Sequence, residues 1–204
     1  NPNEYSMQCS RCRKEAVIVQ PYSGVALCAV HAARDLEAKA KRRIRKCGGI
    51  ASGERLYAAD TGNAESFALA VLLAEILAGR RDVSFVSDPL QATALVSVDT
   101  LDSATVRFLQ LVCTGRVSEV LTLLPEKILD PLAGVPRKEV LLYARHHGWA
   151  GEDIPPPFSS DPFAADIATF LEHFSADHPS AVYALMQVRD ALPQLYLDRT
   201  NHAL

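Results

Sequence analysis

The sequence predicts an α/β protein in three parts: a small N-terminal metal module, a parallel sheet with helices on both faces, and a helical C-terminal region. Three observations carry this. Cys9-x-x-Cys12, fifteen residues, then Cys28-x-x-His31 supplies four ligands as two close pairs. Strand-like and helix-like segments alternate from Glu54 to His146, the pattern of a parallel sheet. Two amphipathic helices, opened by Asp161-Pro162 and His178-Pro179, close the chain. The expected boundaries are a zinc-binding module over 1–33, a basic linker helix over 34–50, an α/β domain over 51–151 and a helical region over 152–204.

The first element is the metal module. Zinc takes four thiolate or imidazole ligands in a tetrahedron, and a pair spaced two apart can grip one ion from a single turn. Cys9, Cys12, Cys28 and His31 fit that need. Turn-forming neighbours such as Ser10, Ser23 and Gly24 suit small loops. The competing readings are chance Cys pairs or a disulfide. An odd total of five Cys and no visible secretion signal weigh against the disulfide. A cytoplasmic location is the corresponding expectation.

The second element is a helix. Ala32 to Lys46 is made almost wholly of good helix formers and stops at Gly48-Gly49. Lys39, Lys41, Arg42, Arg43, Arg45 and Lys46 make six of its last eight residues basic. Cations at a helix C-terminus complement the dipole; they also form a positive rod suited to phosphates. Residues 1–46 hold ten Lys/Arg against four Asp/Glu, and residues 47–204 hold eleven against twenty. The chain as a whole carries −3. A basic head on an acidic body suggests a polyanion partner for one end. No run of eighteen apolar residues occurs, so no membrane-spanning helix is expected.

The α/β elements follow in order. Glu54–Ala59 reads as a strand, Asp60–Ser66 as a polar turn and Phe67–Ala78 as an apolar helix ended by Gly79. Asp82–Val86 and Ala92–Val98 read as strands, flanking a Ser87-Asp88-Pro89 turn. Leu101–Cys113 and Ser118–Leu124 read as helices, Ile128–Pro131 as a short extended piece, and Pro136–His146 as a helix with Pro in its first turn. Ile154–Phe158 is stiff and extended. Pro162–Phe174 and Pro179–Leu195 are the closing helices. His146-His147, Trp149, His173 and His178 read as helix-end or packing residues. Glu37 and Lys41 have the spacing of a helix ion pair, and Arg137-Lys138 read as solvated.

Thr61-Gly62-Asn63-Ala64-Glu65-Ser66 lies between the first strand and the next helix. Helix N-termini at such loops favour anions, but one Gly and two hydroxyls are equally common as capping residues. The Gly-Lys-Ser/Thr end of a Walker A loop is absent.

Taken together, these segments resemble the tRNA 2-thiolation enzymes of the PP-loop ATP pyrophosphatase superfamily. In that group a Cys-x-x-Cys…Cys-x-x-Cys/His module precedes a basic helix, a strand and Ser-Gly-Gly-Lys-Asp-Ser. Cys9, Cys12, Cys28, His31 and Lys39–Lys46 match the first parts, and Gly53-Glu54 leads into the strand. Asp99–Ser103 is similar to the family's His-Asn-Leu-Asp-Asp. Asp130–Val140 is similar to its Pro-Leu-x-x-Val-Pro-x-Lys-Glu-Val, and Pro157-Phe158-Ser159 to its Cys-Pro-Tyr-Ser. The resemblance implies an adenine nucleotide α-hydrolase-like sheet with a structural zinc head, truncated because several tens of residues are missing between Val86 and Ala94.

The departures fall on the chemistry. Asn63 stands where the second Gly belongs, Ala64 where the Lys belongs and Glu65 where the Asp belongs. No Cys-x-x-Cys follows the second strand, and Cys47 and Cys113 are not placed to replace it. ATP and Mg2+ are therefore doubtful cofactors. The resemblance implies a degenerate paralogue that docks tRNA and forms a homo- or heterodimer with an active thiolation subunit. The alternatives are an active ATP-dependent tRNA 2-sulfurtransferase with a divergent loop, and a stand-alone zinc-module RNA- or protein-binding protein.

Overall fold

The computed structural model describes residues 7–119 and 127–201. A two-stranded antiparallel hairpin, β1 (Ile18–Val19) and β2 (Ala26–Leu27), forms the head together with the loop before it. Helix α1 (Ala29–Lys46) follows directly. The sheet then alternates with helices: β3 (Arg55–Ala58), α2 (Ala64–Ile76), β4 (Ser84–Phe85), β5 (Ala94–Val96), α3 (Leu101–Cys113), β6 (Lys127–Leu129) and α4 (Arg137–His146). Helices α5 (Pro162–Asp177) and α6 (Ala181–Asn201) end the described chain. The helix expected over Ser118–Leu124 falls largely outside the described residues.

The four strands are all parallel, in the order β4-β3-β5-β6. Leu56, Ala94, Val96 and Leu129 point to one face, where α1, α2 and α4 cover them with Leu36, Leu69, Leu72, Val140 and Tyr143. Side chains alternate across a strand, so Tyr57, Leu95 and Ile128 turn to the opposite face, flanked by Ala104, Phe108 and Leu111 of α3. Helices α5 and α6 pack on α3 through Ala164, Ile167, Leu171 and Met186.

The strands sit where the β-branched and apolar runs put them, but they are shorter than expected. Two helices begin earlier than the sequence suggests. Helix α2 starts at Ala64 because Asn63 caps it: its side chain accepts from Ser66 N, and the Ser66 hydroxyl accepts from Asn63 N. Ala64-Glu65-Ser66 is thus helix, not turn. Helix α1 starts at Ala29, which places His31 in its first turn. Its Ala33, Leu36 and Ala40 are buried in the main core, so the expected linker is a structural wall of the domain.

An ion network ties α1 to the rest. The Arg43 guanidinium donates to both oxygens of Asp130, each at 2.6 Å, and pairs with Asp190. Arg189 reaches Asp130 at 2.5 Å, and Lys46 reaches Asp190 at 2.7 Å. Burial alone would raise the Asp130 carboxyl; Arg43 and Arg189 outweigh it and hold it below its usual range. A carboxylate depressed in the folded state stabilises above its unfolded pKa of about 3.9, and that contribution is lost as pH falls through the folded value. Urea unfolding at stepped pH should show stability declining below about pH 4, with a shallower decline in Asp130→Asn. At neutral pH, Asp130→Ala should cost about 3–5 kcal/mol, because Arg43 and Arg189 lose their buried partner.

Candidate metal centre and nucleotide loop

The head brings its four expected ligands together. Ligand atoms of Cys9, Cys12, Cys28 and His31 all lie within 4.8 Å of one another. Cys9 Sγ is 3.4 Å and Cys28 Sγ 3.3 Å from His31 Nδ1, and Cys12 Sγ is 3.7 Å from Cys28 Sγ. Metal–sulfur bonds near 2.3 Å and metal–nitrogen bonds near 2.1 Å, at tetrahedral angles, imply edges of about 3.8 and about 3.6 Å. The set therefore fits one tetrahedral ion and is too tight to surround a cluster of several metals. Burial pulls the Cys9 thiol up, but the backbone N–H groups of Cys28 and Arg11, with Cys12 and His31, bring it down to about 6. A thiolate is the form a metal takes.

The hairpin tip carries a latch that the sequence reading did not identify. Gln20 Nε2 donates to Asp35 Oδ2 at 2.9 Å and to Glu139 Oε2 at 3.2 Å, and Tyr22 OH donates to Glu139 Oε1 at 2.7 Å. Lys39 closes the group with Asp35 at 2.8 Å and Glu139 at 3.0 Å. Glu139 belongs to the Val-Pro-x-Lys-Glu-Val segment, the one signal in the sequence that could have marked it. The helix ion pair of α1 is thus Asp35–Lys39, and Glu37 and Lys41 form no ion pair among the described residues.

The six basic residues in the C-terminal half of α1 divide. Lys39 and Arg43 point inward to the carboxylates just named. Lys41, Arg42 and Arg45 are exposed, and Lys46, also exposed, reaches Asp190. Arg34 lies exposed on the same outward side.

The loop at Thr61–Ser66 follows β3, as expected, but its donors and acceptors serve each other. Asp60 Oδ1 accepts from Gly62 N at 2.9 Å and from the Ser66 hydroxyl at 3.2 Å. Thr61 donates to Asn63 Oδ1 at 2.8 Å, and the same oxygen accepts from Ser66 N at 2.9 Å. Gly62 adopts φ +67°, the left-handed turn that needs glycine here. Glu65 is buried, with Oε1 on Arg137 Nε at 2.6 Å and Oε2 buried without a hydrogen-bond partner among the described residues. Arg137 is not solvated: it also holds Asp153 at 2.6 Å and the Ile154 carbonyl at 2.7 Å. Among the described residues, the carboxylates of Asp60 and Glu65 lie at this turn, and the one cation bonded there, Arg137, is held by Glu65 and Asp153. That arrangement fits poorly with a magnesium triphosphate, whose charge needs N–H donors and a lysine or arginine.

The remaining cysteines stand apart. Cys47 donates to Asp130 Oδ1 at 3.1 Å, and burial with the nearby carboxylate pushes its thiol up to about 11. Cys113 is exposed at the end of α3. Among the described residues the Cys3His head is the one metal-ligand cluster. Trp149 packs on Phe67 with ring centroids 5.4 Å apart, and His147 lies tilted against Tyr143 at 4.4 Å; both are packing residues.

Comparisons with known proteins agree with this geometry. Residues 8–31 match the model of the 2-thiouridine synthetase TtuA N-terminal LIM domain. The U34-tRNA thiolase NcsA from Methanococcus maripaludis, solved with its 4Fe–4S cluster, superposes with a TM-score of 0.75. The fold is that of NcsA. The match covers 92% of this chain and 88% of NcsA, at 16% identity. No curated protein sequence matches significantly. Head and fold thus both support the resemblance to the tRNA-thiolating PP-loop family.

Metal analysis of the purified chain should find one zinc per chain. Cys9→Ser should lose it and expose the Gln20–Val25 tip to faster hydrogen exchange, since such modules draw much of their stability from the ion. Full metal retention in Cys9→Ser would contradict the four-ligand site.

Proposed function

We propose that this chain is a non-catalytic member of a tRNA 2-thiolation system. It docks tRNA through a zinc-pinned head and the outward side of α1, and it pairs with an active PP-loop sulfurtransferase in the cytoplasm. The observation that carries this reading is the loop after β3. Its hydroxyls, amide and carboxylate bond one another, its Lys position is Ala64, and Arg137 is held by Glu65. Adenylation of a base oxygen builds negative charge at a phosphorus centre, where each missing cation or donor costs several kcal/mol. Here Ala64 and Asn63 replace the cation and the second glycine, and the family's paired cysteines have no counterpart.

The head contributes position rather than chemistry. Cys9, Cys12, Cys28 and His31 would hold one zinc ion, which supplies structural cross-linking at the start of α1. The latch at Glu139 then fixes the head against α4, so that Arg34, Lys41, Arg42 and Arg45 present a rigid positive stripe. Rigid phosphate contacts lower the entropic cost of docking a folded RNA.

Pyrophosphate release with ATP, Mg2+ and tRNA should stay at background for the isolated chain; robust turnover would instead favour the active sulfurtransferase with a divergent loop. A triple Lys41→Glu, Arg42→Glu, Arg45→Glu variant should weaken tRNA binding by tenfold or more at low salt, roughly, and flatten its salt dependence by about one unit per lost phosphate contact. Equal affinity for unrelated RNAs would favour the stand-alone binding module.

A further inference from the structure

We propose that the cavity between the hairpin tip, helix α5 and the starts of α3, α4 and α6 binds a small organic cation, an ammonium carried on an apolar or aromatic body. The cavity holds about 820 Å3, the size of a small-molecule site. Tyr22 lines it from the tip, Val106 from α3, Leu171 from α5, and Val182 and Tyr183 from α6. The tip is fixed in place: the Tyr22 hydroxyl donates to Glu139 at 2.7 Å and accepts from Lys39. The rings of Tyr22 and Tyr183 meet with centroids 4.8 Å apart. This wall is therefore formed before any ligand arrives, and the metal head supplies one side of it.

The lining is short of positive charge. Its charged residues are Asp102, Glu172, Arg137 and Lys138. Arg137 is already held by Glu65 and Asp153. That leaves two carboxylates against the ammonium of Lys138. Among the described residues neither Glu172 nor Lys138 forms an ion pair, and Glu172 is exposed. Asp102 accepts from Arg137 N at 2.6 Å. Solvent reaches Asp102, yet protein surrounds it closely. This burial holds its carboxyl above the usual range despite Arg137 and Lys138, as expected of a carboxylate that lacks a cation.

The rest of the lining suits an apolar body with a polar edge. Tyr22, Phe158 and Tyr183 contribute aromatic rings, whose faces attract ammonium groups. Ser175 Oγ and Tyr183 OH, both at the cavity, are buried without a hydrogen-bond partner among the described residues. Buried polar atoms left unpaired are costly, and a ligand hydroxyl or ammonium N–H would pair them. An anion would instead meet Asp102 and Glu172, two charges of its own sign. The site does not depend on the thiolation reading.

Isothermal titration calorimetry of the full chain with tyramine, 4-ethylphenol and spermidine tests it. 4-Ethylphenol keeps the ring and hydroxyl of tyramine but lacks the ammonium. Tyramine should bind about tenfold tighter than 4-ethylphenol. Glu172→Gln should weaken tyramine by about fivefold and leave 4-ethylphenol unchanged. Circular dichroism and zinc content, which report folding, should match the native chain. Spermidine binding tighter than tyramine, and weakened by Glu172→Gln, would assign an aliphatic cation to the same site. No binding of either amine, equal affinity for tyramine and 4-ethylphenol, or amine binding indifferent to Glu172→Gln overturns the proposal.

Discussion

Helix α1 is the constraint on which the rest depends. One continuous helix carries His31 in its first turn, Leu36 and Ala40 in the main core, and Arg43 in the ion network at its end. The metal module, the sheet and the C-terminal helices are each fixed to this element. A metal bound at its start is therefore mechanically coupled to the core, and the head cannot swing without breaking the contacts of Glu139 and Asp35. This is why a module matched over so few residues can set the orientation of a whole surface.

The same helix resolves an electrostatic question that composition leaves open. Six clustered cations suggest an RNA-binding rod, but two of them satisfy buried carboxylates. Arg43 lies seven residues after buried Leu36, and Lys39 three after it, so both project along the stripe that faces the protein. Arg34, Lys41 and Arg45 lie on the other side. A buried ion pair contributes little net stability but is costly to break. The Asp130 and Asp190 network thus serves best as a register device, holding α6 against α1.

Much of this was legible beforehand. The four metal ligands announce themselves by spacing, and the strand–helix alternation follows from local apolar runs. The elements that were missed depend on contacts remote in sequence. Gln20 meets Glu139, and Arg43 meets Asp130 and Asp190, with no periodicity linking them. The start of α2 turned on whether Asn63 ends a loop or caps a helix, which its side-chain hydrogen bond with Ser66 decides. Residues 64–66 carry both possibilities in their composition. The Thr61–Ser66 loop follows the first strand of the parallel sheet, and its self-satisfied bonding is visible only in three dimensions.

In the function proposed above, this loop has exchanged a phosphate cradle for a helix cap. Co-crystallisation with Mg2+ and a non-hydrolysable ATP analogue at saturating concentration tests it most directly. The loop should hold no nucleotide, with Asn63 Oδ1 still accepting from Ser66 N and Asp60 from Gly62 N. A triphosphate seated on the backbone amides of residues 62–66, with Asn63 turned away, would contradict it.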